Sequence, residues 1–400
     1  MVSSEKATGH VLSLFQRAHH EALIRPLTVG DRADVEAMIN VHPVAFLYAA
    51  EHLELLGLPA TAGLGSTRGQ RGFMGIFVPQ EAEEQRANVG IDAPLVARKE
   101  EAELVPPGAS AVTSNPSILP RVKQVAETFL SPLSSLSGMA RSLGEVSAGT
   151  LLGAENFARP TRLVGAFWLG SNCMPLVIPE EHREAVADTV ARSGKTVASI
   201  FGLAADVMPL WKLVEPRMPK PLSVRARQPL LYLDPAHTLS SYIQADLSRF
   251  ALQAPPLDSS GVRWARTSDK RSLLKASVSM FTEEVGYDPM TRDAYGYARR
   301  VEDLIRTGRS VVATNTDGVV VFKADVGLAH ADQCQVQGVW LHPAYRALHL
   351  SEPLLGQAFE LMRTRFPHIS LYVNDYNERA RKLYAGLGME PVGTFATVLF

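Results

Sequence analysis

The sequence predicts an α+β fold: a tandem of two related units, each a mixed, largely antiparallel sheet flanked by helices. Three observations carry this expectation. Two segments far apart in the chain open alike. Short apolar runs with period 2 alternate with longer runs of period near 3.6. The 400 residues also exceed one average domain.

The repeat begins at Ile24 with "IRPLTVGDRADVEAMINVHPVAFLYAAE" and again at Val262 with "VRWARTSDKRSLLKASVSMFTEEVG". Each copy offers a short strand with an arginine, Arg25 or Arg263. A turn follows with Thr28 and Asp31, or with Thr267, Ser268 and Asp269. A hydroxyl residue followed by an acid marks a helix start, because both can satisfy the unpaired N–H groups there. Helical spacing then runs through Val35, Met38 and Ile39 in one copy, and through Leu273, Leu274 and Val278 in the other.

Residues 1–21 read as an extension and 22–234 as the first unit. A strand at 71–79 precedes a compositional break from about 80 to 160, charged and then rich in Pro, Ser and Gly. So long an interruption reads as an insertion. Strands at 162–170 and 173–179 follow, then a helix capped by Gly194. A strand through Ile200, a helix from Ala204 and the strand "QPLLYLD" close the unit. Residues 235–260 read as a linker and 261–400 as the second unit. That unit has helices at 268–281 and 291–308, then two strands joined at Asp317-Gly318, a hairpin signal. The strand "QCQVQGVWLH", a loop, the helix from Ser351, the strand "ISLYVN", a helix and a tail strand complete it.

Composition narrows the function. Hydrophobic content of 46%, charged content of 20% and net charge −1 describe a globular chain with no field for gathering nucleic acid. Cys173 and Cys334, both in apolar strand-like runs, are expected as buried free thiols rather than as a metal site or disulfide. The N-terminal segment lacks a signal-peptide core, and no run reaches the ~20 apolar residues that span a bilayer. A cytoplasmic protein is expected.

The chemistry-bearing stretch is "VWLHPAYRALHLSEPLLGQAFELM", a strand, a loop and a helix. A helix N-terminus presents free N–H groups and positive dipole ends, which favour phosphate oxygens. Ser351 suits the N-cap, with the amides of residues 349–353 (Pro353 excepted) facing an anion and Arg346 adding a charge-assisted pair. Downstream, "LYVNDYNERARKLYAGLGMEPVG" places Asn374 and Asn377 at a strand mouth and Tyr384 on the next helix, one turn after Ala380.

These residues together resemble the C-terminal half of the GCN5-related N-acetyltransferase (GNAT) superfamily, over about residues 262–400. "MFTEEVG", "VFKADVG", "CQVQGVW" and "VGTFATVLF" resemble the actinobacterial two-domain group, whose N-terminal GNAT-like domain is degenerate. The resemblance implies an acyl-CoA-dependent N-acyltransferase that uses acetyl-CoA as acyl donor toward an amine. It implies a V-shaped gap between the strand ending at Leu341 and the strand beginning at Ile369. Backbone groups of Val339, Trp340 and Leu341 would pair with the pantetheine arm. Arg346, Ala347, His349, Leu350 and Ser351 would hold the pyrophosphate, and Asn374 and Asn377 would steady the arm. Tyr384 would protonate the departing thiolate.

Two positions depart from that pattern. His349 and Ala347 stand where glycines are usual, and a Cβ costs roughly 1 kcal/mol where φ is positive. Gln335 and Gln337 stand where relatives carry an acid, so a base must come from Glu284, Glu283 or Asp325. Asp325 follows Lys323 on a central strand, although for Lys323 the plainer reading is a solvent-facing residue on an edge strand. The first unit places "EEH" at the equivalent helix start, where its acids repel phosphate, so that unit reads as a scaffold or an acceptor wall. The alternative function is a catalytically inactive acyl-CoA-sensing or scaffold protein. Small amines, peptide N-termini, lysine side chains, aminoglycosides and thiol precursors all stay open as acceptors, as does a homo-oligomer.

Overall fold

The computed structural model describes residues 22–61, 72–79, 161–193, 197–239, 255–346 and 348–400. The N-terminal extension, the insertion at 80–160, the helix stop at Gly194, part of the linker and Ala347 lie outside the described residues.

The first half contributes β1 (Leu23–Pro26), α1 (Arg32–Val41), α2 (Leu47–Leu56), β2 (Gly72–Pro79), β3 (Thr161–Leu169) and β4 (Asn172–Val177). It continues with α3 (Arg183–Arg192), β5 (Ser199–Leu203), α4 (Ala204–Val214) and β6 (Ser223–Leu233). The second half contributes β7 (Arg263–Trp264), α5 (Lys270–Val285), α6 (Met290–Arg306), β8 (Ser310–Thr314), β9 (Val320–His330) and β10 (Gln333–Leu341). Its last elements are α7 (Ser351–Arg363), β11 (His368–Tyr372), α8 (Glu378–Gly386) and β12 (Glu390–Leu399).

The strands form one mixed sheet of twelve, ordered β1-β2-β3-β4-β5-β12-β6-β11-β10-β9-β8-β7. The order is symmetric about its centre. Five strands of each half flank a shared pair, and among the described residues the parallel neighbours are β4 with β5 and β10 with β11. The central pair is exchanged. First-half β6 lies against second-half β11, and second-half β12 lies against first-half β5. Each half therefore needs a strand of the other to complete its sheet.

The repeat seen in sequence is a repeat of atoms. Arg25 donates to both carboxylate oxygens of Asp31 at 2.8 and 2.9 Å, and Arg263 does the same to Asp269 at 2.6 and 3.0 Å. The backbone N–H groups of Thr28 and Arg266 donate to the same carboxylates, each at 2.7 Å. In both copies one acid closes the strand-to-helix turn and neutralises the strand arginine.

A second contact ties the halves. Glu51 of α2 is buried and accepts from the Arg309 guanidinium at 2.8 Å and from the Ala329 N–H at 3.1 Å. Burial raises its carboxyl above the ordinary value, and Arg309 works against that rise.

The periodicity of α7 is borne out, with Leu354, Leu355, Ala358, Phe359 and Met362 all fully buried on one face. Each large side chain among them contributes about 1.5–3 kcal/mol by leaving water. That packing fixes the start of α7 beyond the end of β10. Helix boundaries differ from expectation at two functional points. The helix begins at Ser351 itself, with Leu350 in the cap position and no side-chain cap. Buried Leu350 packs into the core there, so the chain enters the helix one residue early. Helix α5 runs on to Val285, which puts Glu283 and Glu284 in its last turn rather than beyond it.

Candidate active site

Strand β10 pairs with β11 only through Gln333, Cys334 and Gln335, opposite His368, Ile369 and Ser370. Beyond that point the two strands part. Two register shifts against β9 accompany the divergence: Gln335 to Val336 is one step against two on β9, and a bulge between Gln337 and Trp340 spends three steps against two. Gly338 sits in the bulge with φ +62°, a left-handed conformation open to glycine at little cost. A Cβ there would meet Asp325 Oδ2 at 2.8 Å and Lys323 Nζ at 2.9 Å.

Lys323 corrects the expectation of a solvent-facing edge residue. It is fully buried on β9, between β8 and β10. Its ammonium donates to Asp325 Oδ2 at 2.5 Å and to the Gly338 carbonyl at 2.9 Å. Ser310 donates to the other Asp325 oxygen at 2.7 Å. A buried charge pair persists only when hydrogen bonds satisfy its remaining valences, and here they also pin the bulge.

The parted strands open a cleft of about 540 Å³. Its lining includes Val339 and Trp340 on β10, Asn374 and Asn377 after β11, Tyr384 on α8, and Glu283 and Glu284 on α5. Asp325, Lys323, Gln335 and Gln337 lie on its floor. Leu341, Arg346, His349, Leu350 and Ser351 are not among the lining residues.

The Tyr384 phenol is buried on α8. Burial first, and then the Glu284 charge, push its pKa well above the ordinary value. It therefore stays protonated, as a proton donor must. Asn377 caps α8, its Oδ1 accepting from the Ala380 N–H at 3.2 Å. Asn374 Oδ1 accepts from Gln228 Nε2 at 2.9 Å, and Gln228 Oε1 accepts from Thr397 at 2.6 Å. First-half strand β6 thus sets the orientation of a second-half cleft residue.

Arg346 and Glu283 meet at the cleft mouth. The guanidinium donates to Glu283 Oε2 at 2.6 Å and to the Leu341 carbonyl at 2.9 Å, and the Trp340 indole donates to Glu283 Oε1 at 3.2 Å. His349 is exposed and has φ +55°, the left-handed conformation for which a glycine is the usual residue. Glu284 stands 4.0 Å from Arg225.

Sequence reading missed Arg225 and Gln228 of β6, both of which line the cleft. Strict alternation puts residues three apart on opposite faces. Strand β6 has three steps from Arg225 to Gln228 against two on β12, and this bulge returns both to one face. Arg300 and Ser277, also in the lining, were missed because helical period alone does not tell a cleft-facing polar residue from a solvated one. The two cysteines are free and buried as expected, and burial pushes both thiols up to about 12. Neither lines the cleft.

The cleft reaches the corresponding place in the first half, where Tyr48, Asn172, Ser199 and Phe201 line it. Strands β4 and β5 pair in parallel only at Asn172 with Ser199 and Cys173 with Ile200. Met174 and Val207 nearby are both fully buried. Glu180 and Glu181 precede α3, and Arg183 lies 3.6 Å from Glu180.

Among the described residues no helix is long and apolar enough to cross a membrane. A family model described as a domain of unknown function (DUF4081) matches residues 149–247. No curated protein matches the chain. Among solved structures, a GCN5-related N-acetyltransferase from Sphaerobacter thermophilus is 12% identical, covering 71% of this chain and 93% of its own, with a TM-score of 0.41. A tandem GNAT protein from the clavulanic acid biosynthesis pathway is 13% identical, with coverage of 68% and 95% and a TM-score of 0.38. An acetyltransferase from the GNAT family from Colwellia psychrerythraea is 12% identical, with coverage of 67% and 97% and a TM-score of 0.38. The α+β assignment rests on the twelve-stranded mixed sheet and the helices that flank it.

Proposed function

We propose that the second half is an acyl-CoA-dependent N-acyltransferase, with acetyl-CoA as donor and an amine as acceptor. One observation carries the reading: β10 and β11 separate after Gln335 and Ser370 into a cleft that holds a buried, protonated tyrosine. A separated strand leaves one row of backbone N–H and C=O groups free to accept an extended, amide-bearing ligand as an added strand. The pantetheine arm of acyl-CoA is such a ligand.

The residues present fit that arm better than they fit its diphosphate. Val339 and Trp340 present the free strand edge, and Asn374, held by Gln228, stands opposite. At the diphosphate end, Arg346 and the first amides of α7 supply positive charge, while Glu283 competes for the guanidinium. Bound acyl-CoA supplies an activated thioester carbonyl. Glu284 accepts the amine proton, N–H groups on the β11-facing edge of β10 stabilise negative charge on the carbonyl oxygen, and Tyr384 protonates the leaving sulfur. With both thiols buried away from the cleft, attack by the amine is direct, in a ternary complex.

A second reading, a non-catalytic acyl-CoA sensor or scaffold, is favoured by the mouth itself, where Arg346 is already bound by Glu283. Calorimetric titration with acetyl-CoA, comparing wild type with Arg346→Ala, tests the site. Micromolar binding that the variant loses supports a coenzyme site, and no binding leaves only the scaffold. Turnover with a panel of amines, abolished in Tyr384→Phe, then separates enzyme from sensor.

A further inference from the structure

Among the described residues, Arg300 is the cleft-lining cation that makes no hydrogen bond or ion pair. Glu283 is bound by Arg346, Asp325 by Lys323 and Ser310, and Glu284 faces Arg225 at 4.0 Å. Arg300, half-buried on α6, lines the same cleft, and among the described residues it makes no hydrogen bond or ion pair. Burial pulls its pKa down to about 10, against the opposing pull of Asp325 and Tyr297, so it remains charged at neutral pH. A charge withdrawn from water without a partner is costly, and such groups persist where a ligand completes them.

A second group points to the same place. Ser277 of α5 is 4% exposed and lines the cleft, and its hydroxyl has no hydrogen-bond partner. The Tyr297 phenol donates to the Ser277 carbonyl at 2.8 Å, clamping α6 to α5 and holding hydroxyl and guanidinium on adjoining walls. Among the described residues the cleft thus holds one cation without an ion pair and one hydroxyl without a hydrogen bond.

The geometry points to a carboxylate subsite: Arg300 and Ser277 bind the carboxylate of the acceptor, which is an amine of the amino-acid class. A guanidinium fork matches a carboxylate bidentately, and one unpaired guanidinium matches one carboxylate. A phosphate, with about −1.5 to −2 charge, would bring more charge than the one unpaired guanidinium carries. The subsite itself needs only Arg300 and Ser277. Naming its occupant the acceptor rests on the acyltransferase reading, which also gives Glu284 the amine.

The test uses the full chain and two probe pairs, glycine with glycinamide and leucine with leucinamide, plus inorganic phosphate. Binding is read by saturation-transfer NMR and calorimetry without coenzyme, then with acetyl-CoA present. The free acids are expected to bind about tenfold to a hundredfold more tightly than the amides, the loss that follows removal of a charge-assisted pair. Arg300→Gln should erase that difference by weakening the acids alone, and Arg300→Lys should restore part of it. Equal binding of acids and amides by wild type, tighter binding of phosphate, or no binding of any probe overturns the subsite. Acids that bind to a protein indifferent to acetyl-CoA would keep the subsite and sink the acyltransferase reading instead.

Discussion

Glu283 and Arg346 hold each other across the cleft mouth at 2.6 Å, although each stands apart from the other in the roles that the sequence suggests for them. One is an acid that could serve an acceptor; the other is a cation that could serve a diphosphate. If Arg346 serves the diphosphate, Glu283 is a competitor rather than a base. Glu283→Gln should then tighten acetyl-CoA binding by about two- to fivefold, the worth of a half-exposed ion pair. Turnover at saturating coenzyme should stay within twofold. Calorimetry and steady-state kinetics read the two effects separately, and a large fall in turnover would return Glu283 to catalysis.

His349 stores strain at the same mouth. Its φ of +55° costs roughly 1 kcal/mol relative to glycine. His349→Gly should raise the urea midpoint by a corresponding amount, less the unfolded-state entropy that glycine adds. Acetyl-CoA should also bind more tightly, because the backbone can approach without a side chain. Weaker coenzyme binding in that variant would mean that the imidazole is a ligand.

The bulge at Gly338 depends on the buried pair beneath it. Lys323→Met leaves Asp325 as an uncompensated charge and should cost about 3–5 kcal/mol in urea unfolding. Asp325→Asn added to that variant should recover part of the loss, which a double-mutant cycle measures. Gly338→Ala should destabilise by more than the ~1 kcal/mol of its backbone conformation, because the new methyl meets both members of the pair. A neutral Gly338→Ala variant would show that the bulge is not held as described.

Tyr384→Phe should lower turnover about 10²- to 10⁴-fold with acetyl-CoA affinity nearly unchanged, the loss expected for a general acid. Burial and Glu284 keep the phenol protonated well above its ordinary range. Replacing Glu284 by Gln should therefore leave the position of any basic limb between pH 8 and 10 unchanged. A basic limb that moves when Glu284 is replaced by Gln, through loss of the charge near the phenol, would place Tyr384 within the titrating range.

The repeated turn gives a pH dependence of stability. Burial pushes the Asp269 carboxyl upward, but the Arg263 guanidinium and the Arg266 N–H outweigh it and leave the pKa below its ordinary 3.8. Asp31 follows the same balance through Arg25 and Thr28. A depressed acid contributes its full stability above the unfolded-state value and loses it as pH falls through the folded value. Asp269→Asn should thus cost about 2 kcal/mol at pH 7, with the gap to wild type closing below about pH 4. Urea unfolding at pH 3, 5 and 7 checks this.

Much of the fold was legible in the chain itself. Local rules suffice for Arg25 with Asp31 and Arg263 with Asp269, because partners six residues apart meet within one strand-to-helix turn. The buried face of α7 follows from its period, and the buried thiols follow from their apolar runs. The positive φ at His349 sits where glycine is customary, so that strain too was marked in sequence. Tertiary structure alone decided what lies between distant segments. Two bulges shift register by one residue, and one residue reverses the face of every side chain that follows. That is how Arg225 and Gln228 come to share the cleft and how β10 leaves β11. The exchange of β6 and β12 was equally hidden, because strand pairing depends on which edges remain open after both halves have folded, and no local pattern encodes that. The pairing of Glu283 with Arg346 and the isolation of Arg300 belong to the same class, since charge compensation is settled only when separate helices and loops converge.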